Sequence, residues 1–273
     1  QQCLPGLGAL LRHGHDVGQE ARLQAALDLT RALDGHLTCL DVAMLPALVG
    51  DPYCPDGGAI LLQEERARES VNRTHVRERL EHEDVSWDLA EVTGDLSTCL
   101  KDAAGLADVI VVNRKLDEFP YPDMRELAGE LVVKSGKPVI AVPDNIRSFN
   151  AVGRAIVAWN GSPSSMAALH AATPLLKLSE SVIIIEIDDG SLQTPAREAA
   201  AYLSRHGVHA LIRLEKSHGR PTGDILMSEI RDRSAEYLVM GGFGHRRLAE
   251  ALFGGVTRTL LEKSPVPLFL VHG

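Results

Sequence analysis

Short runs of aliphatic and β-branched residues alternate along this chain with segments of helical length, and the whole alternation occurs twice. Residues 107–112, ADVIVV, return as residues 235–240, AEYLVM, at an offset of 128 (235−107). Lys134-Ser135 followed by Pro138 returns as Lys263-Ser264 followed by Pro267, at an offset of 129 (263−134). Two matches at nearly one offset mark an internal duplication. A short apolar strand must hand its faces to the helices that follow it. Repetition of that unit yields a parallel sheet with helices on both sides and right-handed crossovers. A chain of 273 residues suits two such units. The expected fold is therefore α/β, with two doubly wound parallel five-stranded sheets, one from residues 1–148 and one from residues 149–273.

The elements follow from periodicity and punctuation. In the first half the pattern predicts a poor opening strand limited to residues 9–11, a helix over 19–33, and a strand over 37–42. An exposed excursion over 45–58 comes next, then a charged, solvent-covered helix over 64–82 and a strand over 87–92. A helix through Ala104 capped by Asp95 or Ser97, a buried strand over 108–112, a helix over 124–135 and a strand over 138–142 complete the half. The second half predicts strands over 155–159, 182–187, 209–214, 237–240 and 265–271. Its helices are expected over 165–176, 194–205, 222–231 and 256–263, with Gly207 closing the second of these.

Gly241 and Gly244 follow the strand at Tyr237, and Gly254 and Gly255 stand just before the last helix. Small residues let a backbone approach a ligand closely, and the free N–H groups of a helix N-terminus, here at Val256 and Thr257, favour phosphate. This spacing, with the Lys-Ser-Pro-Val-Pro lead into the terminal strand, resembles the nucleotide loop of the universal stress protein family. The resemblance implies the adenine-nucleotide alpha hydrolase-like fold and an adenine nucleotide (ATP, ADP or AMP, accompanied by Mg) in the second half. It also implies pairing of sheets through their last strands, here an internal pseudo-dimer of residues 138–142 with 267–271, besides any homodimer. Two departures bear on it. Family members that bind ATP place Ser or Thr directly after the third glycine, where this chain has Gly255, and Thr257 is the nearest substitute. An Asp at the end of the family's first strand corresponds here to Asn160, within Trp159-Asn160-Gly161-Ser162.

Asn160 is accordingly expected to accept from a ribose hydroxyl, or else to serve with Ser162 as a turn-former and cap. Asp188 either flanks the base or sits in solvent, and His245, Arg246 and Arg247 add positive charge beside the loop. In the first half Asn113 and the bulky, charged and proline residues after it stand where glycines would be, and His13-Gly14-His15-Asp16 replaces the first turn. That half is expected to have lost its nucleotide site and to keep a structural role.

Composition narrows the partners. A net charge of −9 and 4% aromatic content disfavour nucleic acid and anionic membrane surfaces. Cys3, Cys39, Cys54 and Cys99 show no C-x-x-C spacing, so neither zinc nor a redox dithiol is expected, and reduced thiols fit a cytoplasmic protein. No apolar run spans a bilayer, and the first residues lack a signal-peptide layout. Neither His13 and His15 nor His206 and His209 announce a third metal ligand. Three functions are in view: a non-catalytic nucleotide-binding stress protein, with a sensor or regulatory role; a tandem scaffold or interaction module that binds no nucleotide; and, ranked last, a nucleotide hydrolase, for which no base or metal is specified near the loop.

Overall fold

A computed structural model describes residues 7–11, 18–44, 57–114, 124–242 and 255–273. In the first half these form β1 (Leu7–Leu11), α1 (Gln19–Leu33), β2 (His36–Met44), α2 (Gly57–Glu81), β3 (Ser86–Gly94), α3 (Leu96–Ala103), β4 (Val109–Asn113), α4 (Met124–Ser135) and β5 (Val139–Val142). The second half repeats the order with β6 (Arg154–Trp159), α5 (Pro163–Leu176), β7 (Ser181–Asp188), α6 (Ala196–Arg205), β8 (Ala210–Lys216), α7 (Thr222–Asp232), β9 (Tyr237–Gly241), α8 (Gly255–Lys263) and β10 (Leu268–Val271).

All ten strands join one sheet in the order β3-β2-β1-β4-β5-β10-β9-β6-β7-β8. Every pairing within a half is parallel, and the one antiparallel junction is β5 against β10, with Phe269 opposite Ile140. The two expected five-stranded sheets are thus edge-joined into one, through the strands anticipated for that role.

Alternation along the central strands explains why helices cover both faces. Val109 and Val111 enter one apolar core, and Ile110 and Val112 the other; Val239 and Leu238 divide in the same way in the second half. Residues on strands buried on both sides read as continuous aliphatic runs. Helices α1, α2, α5 and α6 supply the first core, for example through Leu27, Leu80, Leu169 and Leu203. Helices α3, α4, α7 and α8 supply the second, through Leu100, Leu131, Ile230 and Leu260. Each core runs through both halves, so burial of roughly 2 kcal/mol per aliphatic side chain couples them as well as building each one.

Several boundaries differ from expectation. Leu7 and Gly8 pair with Leu37 and Thr38, so the first strand extends through Gly8 because its parallel neighbours on both sides supply hydrogen bonds that local propensity does not. Gly57 and Gly58 belong to α2 and not to an excursion, whose remaining residues 45–56 lie outside the described ones. Nor is α2 solvent-covered throughout, since Val76 and Leu80 are buried against the sheet. Among the described residues no helix is long and apolar enough to cross a membrane.

Candidate functional site

Within the second half the chain passes from β6 to β7 and β8 on one side, then crosses to β9 on the other side of β6. Adjacent strands whose connections leave in opposite directions open a crevice beyond their carboxyl ends, the usual ligand position in such sheets. Asn160 follows β6 and Gly241 ends β9, so both stand at this switch point. Asp188 is the last residue of β7, one strand further out, not a residue beyond it as the periodicity suggested. It is exposed and in register with Lys216. Gly255, Val256 and Thr257 form the first turn of α8. Gly244 and Gly254, with His245, Arg246 and Arg247, lie outside the described residues.

The turn after β6 is tightly built. Gly161 has a φ of +69°, and a methyl group there would lie 2.2 Å from the Thr194 backbone nitrogen. A strap of residues 189–195 crosses this turn: the Gln193 N–H donates to the Asn160 carbonyl (2.7 Å), and the Trp159 indole N–H donates to the Thr194 carbonyl (2.7 Å). The Asn160 side-chain oxygen accepts from the Ser162 N–H at 3.1 Å, and Ser162 caps α5 by accepting from the Ser165 N–H at 3.2 Å. Pro163 occupies the first helical turn, where its missing donor costs nothing. The turn-and-cap role foreseen for Asn160 and Ser162 is the one these bonds express.

Gly241 has an equally definite cause. A methyl group on it would stand 2.6 Å from the Ser164 carbonyl carbon and the Ser165 nitrogen, so β9 can reach α5 only without a side chain. The next residue is held by the last strand, Gly242 N–H donating to the Val271 carbonyl at 2.8 Å. Gly255 is different: among the described residues no atom lies within 4 Å of an added methyl. Val256 packs against the second core and Thr257 is buried, while Gly255 is exposed. Arg258, exposed in that turn, pairs with Glu262 at 3.2 Å.

Asp189 went unremarked in the sequence. Partial burial works against its ionisation, but its carboxylate accepts from the Ser191 N–H (2.9 Å) and the Thr222 hydroxyl (2.6 Å). The net effect holds its carboxyl below the usual range. It ties the strap to the start of α7. The Asp-Asp-Gly sequence after an apolar run was the available signal.

At the corresponding switch point of the first half, between β1 and β4, the described residues pack closely, while residues 12–17 and 115–123 lie outside them. Asn113 ends β4 fully buried, and its amide donates to the Gly18 carbonyl (2.9 Å) and to Asp144 (3.2 Å). A methyl group on Gly18 would lie 2.0 Å from that amide nitrogen. Beside it Arg114 donates to the Leu260 carbonyl at 3.4 Å, and burial lowers its pKa against the pull of Asp144. Burial likewise pushes the Cys39 thiol up to about 12, with the fully buried Arg22 opposing. His13, His15 and Asp16 lie outside the described residues, while His206 and His209 are exposed. Among the described residues no group of three His, Cys, Asp or Glu is placed to hold a metal.

Comparison with known proteins agrees with this architecture. Residues 139–272 match the family model of the universal stress protein family. A universal stress protein of Synechocystis sp. is 23% identical, aligned over 95% of this chain and 97% of that protein. Among solved structures, a universal stress protein from Archaeoglobus fulgidus superposes with a TM-score of 0.73 at 18% identity, covering 97% of this chain and 96% of that one. A protein of unknown function from Pseudomonas aeruginosa does so with a TM-score of 0.61 at 15% identity, covering 97% and 92%.

Proposed function

Residues 139–272 belong to the universal stress protein family, and from that premise we propose that the second half binds an adenine nucleotide in a non-catalytic, sensing or regulatory role. The first half, divided from it near residues 148 and 149, supports the shared sheet and binds none. The observation that carries this reading is the contrast between the two switch points. One is packed by Asn113 against Gly18. The other ends in Gly241 and Gly242, and the next described residue is Gly255, exposed at the start of α8. In this reading the N–H groups of Gly255, Val256 and Thr257 meet the phosphates. Gly244 and Gly254 shape the loop between, Asn160 faces the ribose through its remaining amide group, and Asp188 lies toward the base. The nucleotide is ATP, ADP or AMP, with magnesium accompanying the longer tails, and the protein acts in the cytoplasm.

Thermal melting with added nucleotide tests it. Ligand at a hundredfold excess over Kd stabilises by about 2.7 kcal/mol, several degrees in Tm. Gly255→Asp is the informative variant, because no described residue crowds the position and it stands at a helix N-terminus, where a carboxylate is tolerated or favoured. It should melt as the unaltered chain does without nucleotide and lose the nucleotide-dependent rise. Gly255→Ser, restoring a hydroxyl, should strengthen ATP relative to AMP. If the unaltered chain fails to respond to any of the three nucleotides, the reading fails. The alternative, a scaffold without nucleotide, draws on one observation: the Asn160 oxygen is already committed to the Ser162 N–H.

A further inference from the structure

The same backbone bond follows the fourth strand of each half. The Arg114 N–H donates to the Val142 carbonyl (2.9 Å) after β4, and the Gly242 N–H donates to the Val271 carbonyl (2.8 Å) after β9. Arg114 and Gly242 are thus equivalent positions, 128 residues apart (242−114). Gly242 has no side chain, whereas Arg114 sends its own out of the first half. Its Nη1 donates to the Leu260 carbonyl at 3.4 Å, so the guanidinium of one half stands at the last turn of α8 in the other. That carbonyl also accepts from the Ser264 N–H at 2.9 Å. Leu131 of α4 corresponds to Leu260 at the 129-residue offset (260−131), but the residue that corresponds to Arg114 is a glycine, so no side chain can return the contact.

Holding the halves together does not call for this group, because the β5 with β10 junction and both cores already do so. Partial burial of a guanidinium carries a desolvation cost, felt here as a lowered pKa. Its Nε meets no hydrogen-bond partner among the described residues. What offsets that cost is the place it occupies, since a cation at the last turn of a helix lies at the favourable pole of the dipole. The charge persists, because arginine does not deprotonate in proteins. Leu260 lies roughly 7.5 Å along the helix axis from Gly255. Over such a distance a half-buried cation favours an anion at the first turn by about a few-fold in binding per phosphate charge after salt screening. Taking Gly255, Val256 and Thr257 as the phosphate site, we infer that Arg114 is a positioning residue through which the first half sets the affinity of that site. It fixes the last turn of α8 and adds its charge to the helix that receives the phosphates. The first half then contributes to binding without holding a nucleotide itself, and its contribution grows with the number of phosphates on the ligand.

Calorimetric titration of the intact chain with ATP, ADP and AMP tests this, using Arg114→Met, Arg114→Lys and, as a control for net charge, Lys134→Met in α4, where the lysine pairs with Glu130. Arg114→Met, with unchanged circular dichroism, should weaken ATP about tenfold and AMP about twofold, with ADP between them. Arg114→Lys keeps the charge and should recover most of the loss for ATP. Lys134→Met should bind all three as the unaltered chain does. Should Arg114→Met not fold, Arg114→Gln, which keeps a donor for the Leu260 carbonyl without the charge, should show the same graded loss. Unchanged ATP affinity in the neutral variant, an equal loss for all three nucleotides, no recovery with lysine, or the same loss in Lys134→Met would each overturn the role of Arg114 and leave the nucleotide site standing. An unaltered chain that binds none of the three would overturn the site itself, and the role of Arg114 with it.

Discussion

Gly161 and Gly241 are glycine because of what stands against them, Thr194 in one case and the start of α5 in the other. Gly255 has no such neighbour among the described residues, which makes it the residue where ligand chemistry and folding can be separated by one substitution. Their spacing was readable in the sequence; that two of the three are required by packing was not, because the contacts come from segments 33 and 77 residues away (194−161, 241−164). A residue that the sequence left silent is Asp41, whose burial pushes its carboxyl up to about 6, against the pull of Arg73 and with help from Glu91. One of its oxygens is buried without a hydrogen-bond partner among the described residues. The unfolded carboxyl ionises near 3.8, so the folded state binds more protons between that value and about 6. Stability from this group is complete below the lower value and is lost as pH rises through the upper one. Asp41→Asn should therefore flatten the decline between pH 4 and 6 and stabilise the protein at pH 7 by about 2 kcal/mol, measured by urea unfolding at both ends of the window. Equal stability of the two proteins at neutral pH would refute the assignment.

Elements were legible where local chemistry decides them. The helices at Gln19–Leu33 and Met124–Ser135 fall where periodicity sets them, and Asp95 caps α3 by accepting from the Thr98 N–H at 3.0 Å. Strands ran longer than expected at β2, β3 and β8, because a parallel neighbour supplies hydrogen bonds to residues whose own propensity is weak. Helix α2 took in Gly57 and Gly58 despite the Gly penalty, and Val76 and Leu80 anchor it to the sheet further along. The Ser162 cap belongs to this scale. Ser162→Ala should destabilise the protein by about 1 kcal/mol in denaturant unfolding and leave nucleotide response intact, since the hydroxyl oxygen is engaged with Ser165. Loss of the response with stability unchanged would instead make Ser162 a ligand contact.

For the whole molecule, duplication in the sequence became pseudo-twofold symmetry in the structure, with β5 and β10 at its centre and β3 and β8 at its ends. The alternation of parallel strands with helices and the internal junction were foreseen from periodicity and from family likeness, whereas the order of strands in the sheet was not. The bulky residues that stand where glycines were expected lie outside the described ones, and the fit of Asn113 between Gly18 and Asp144 is a tertiary fact that the sequence did not announce. The duplicated architecture makes the two switch points an internal comparison, one chain carrying both a test site and its control. Hydrogen exchange on the intact protein, with and without saturating ADP, addresses them together. Exchange should slow at Gly242 and residues 255–258, and stay unchanged at residues 18–22 and 113–114. Protection confined to the first half, or none in either, would contradict the proposal that the second switch point alone receives the nucleotide.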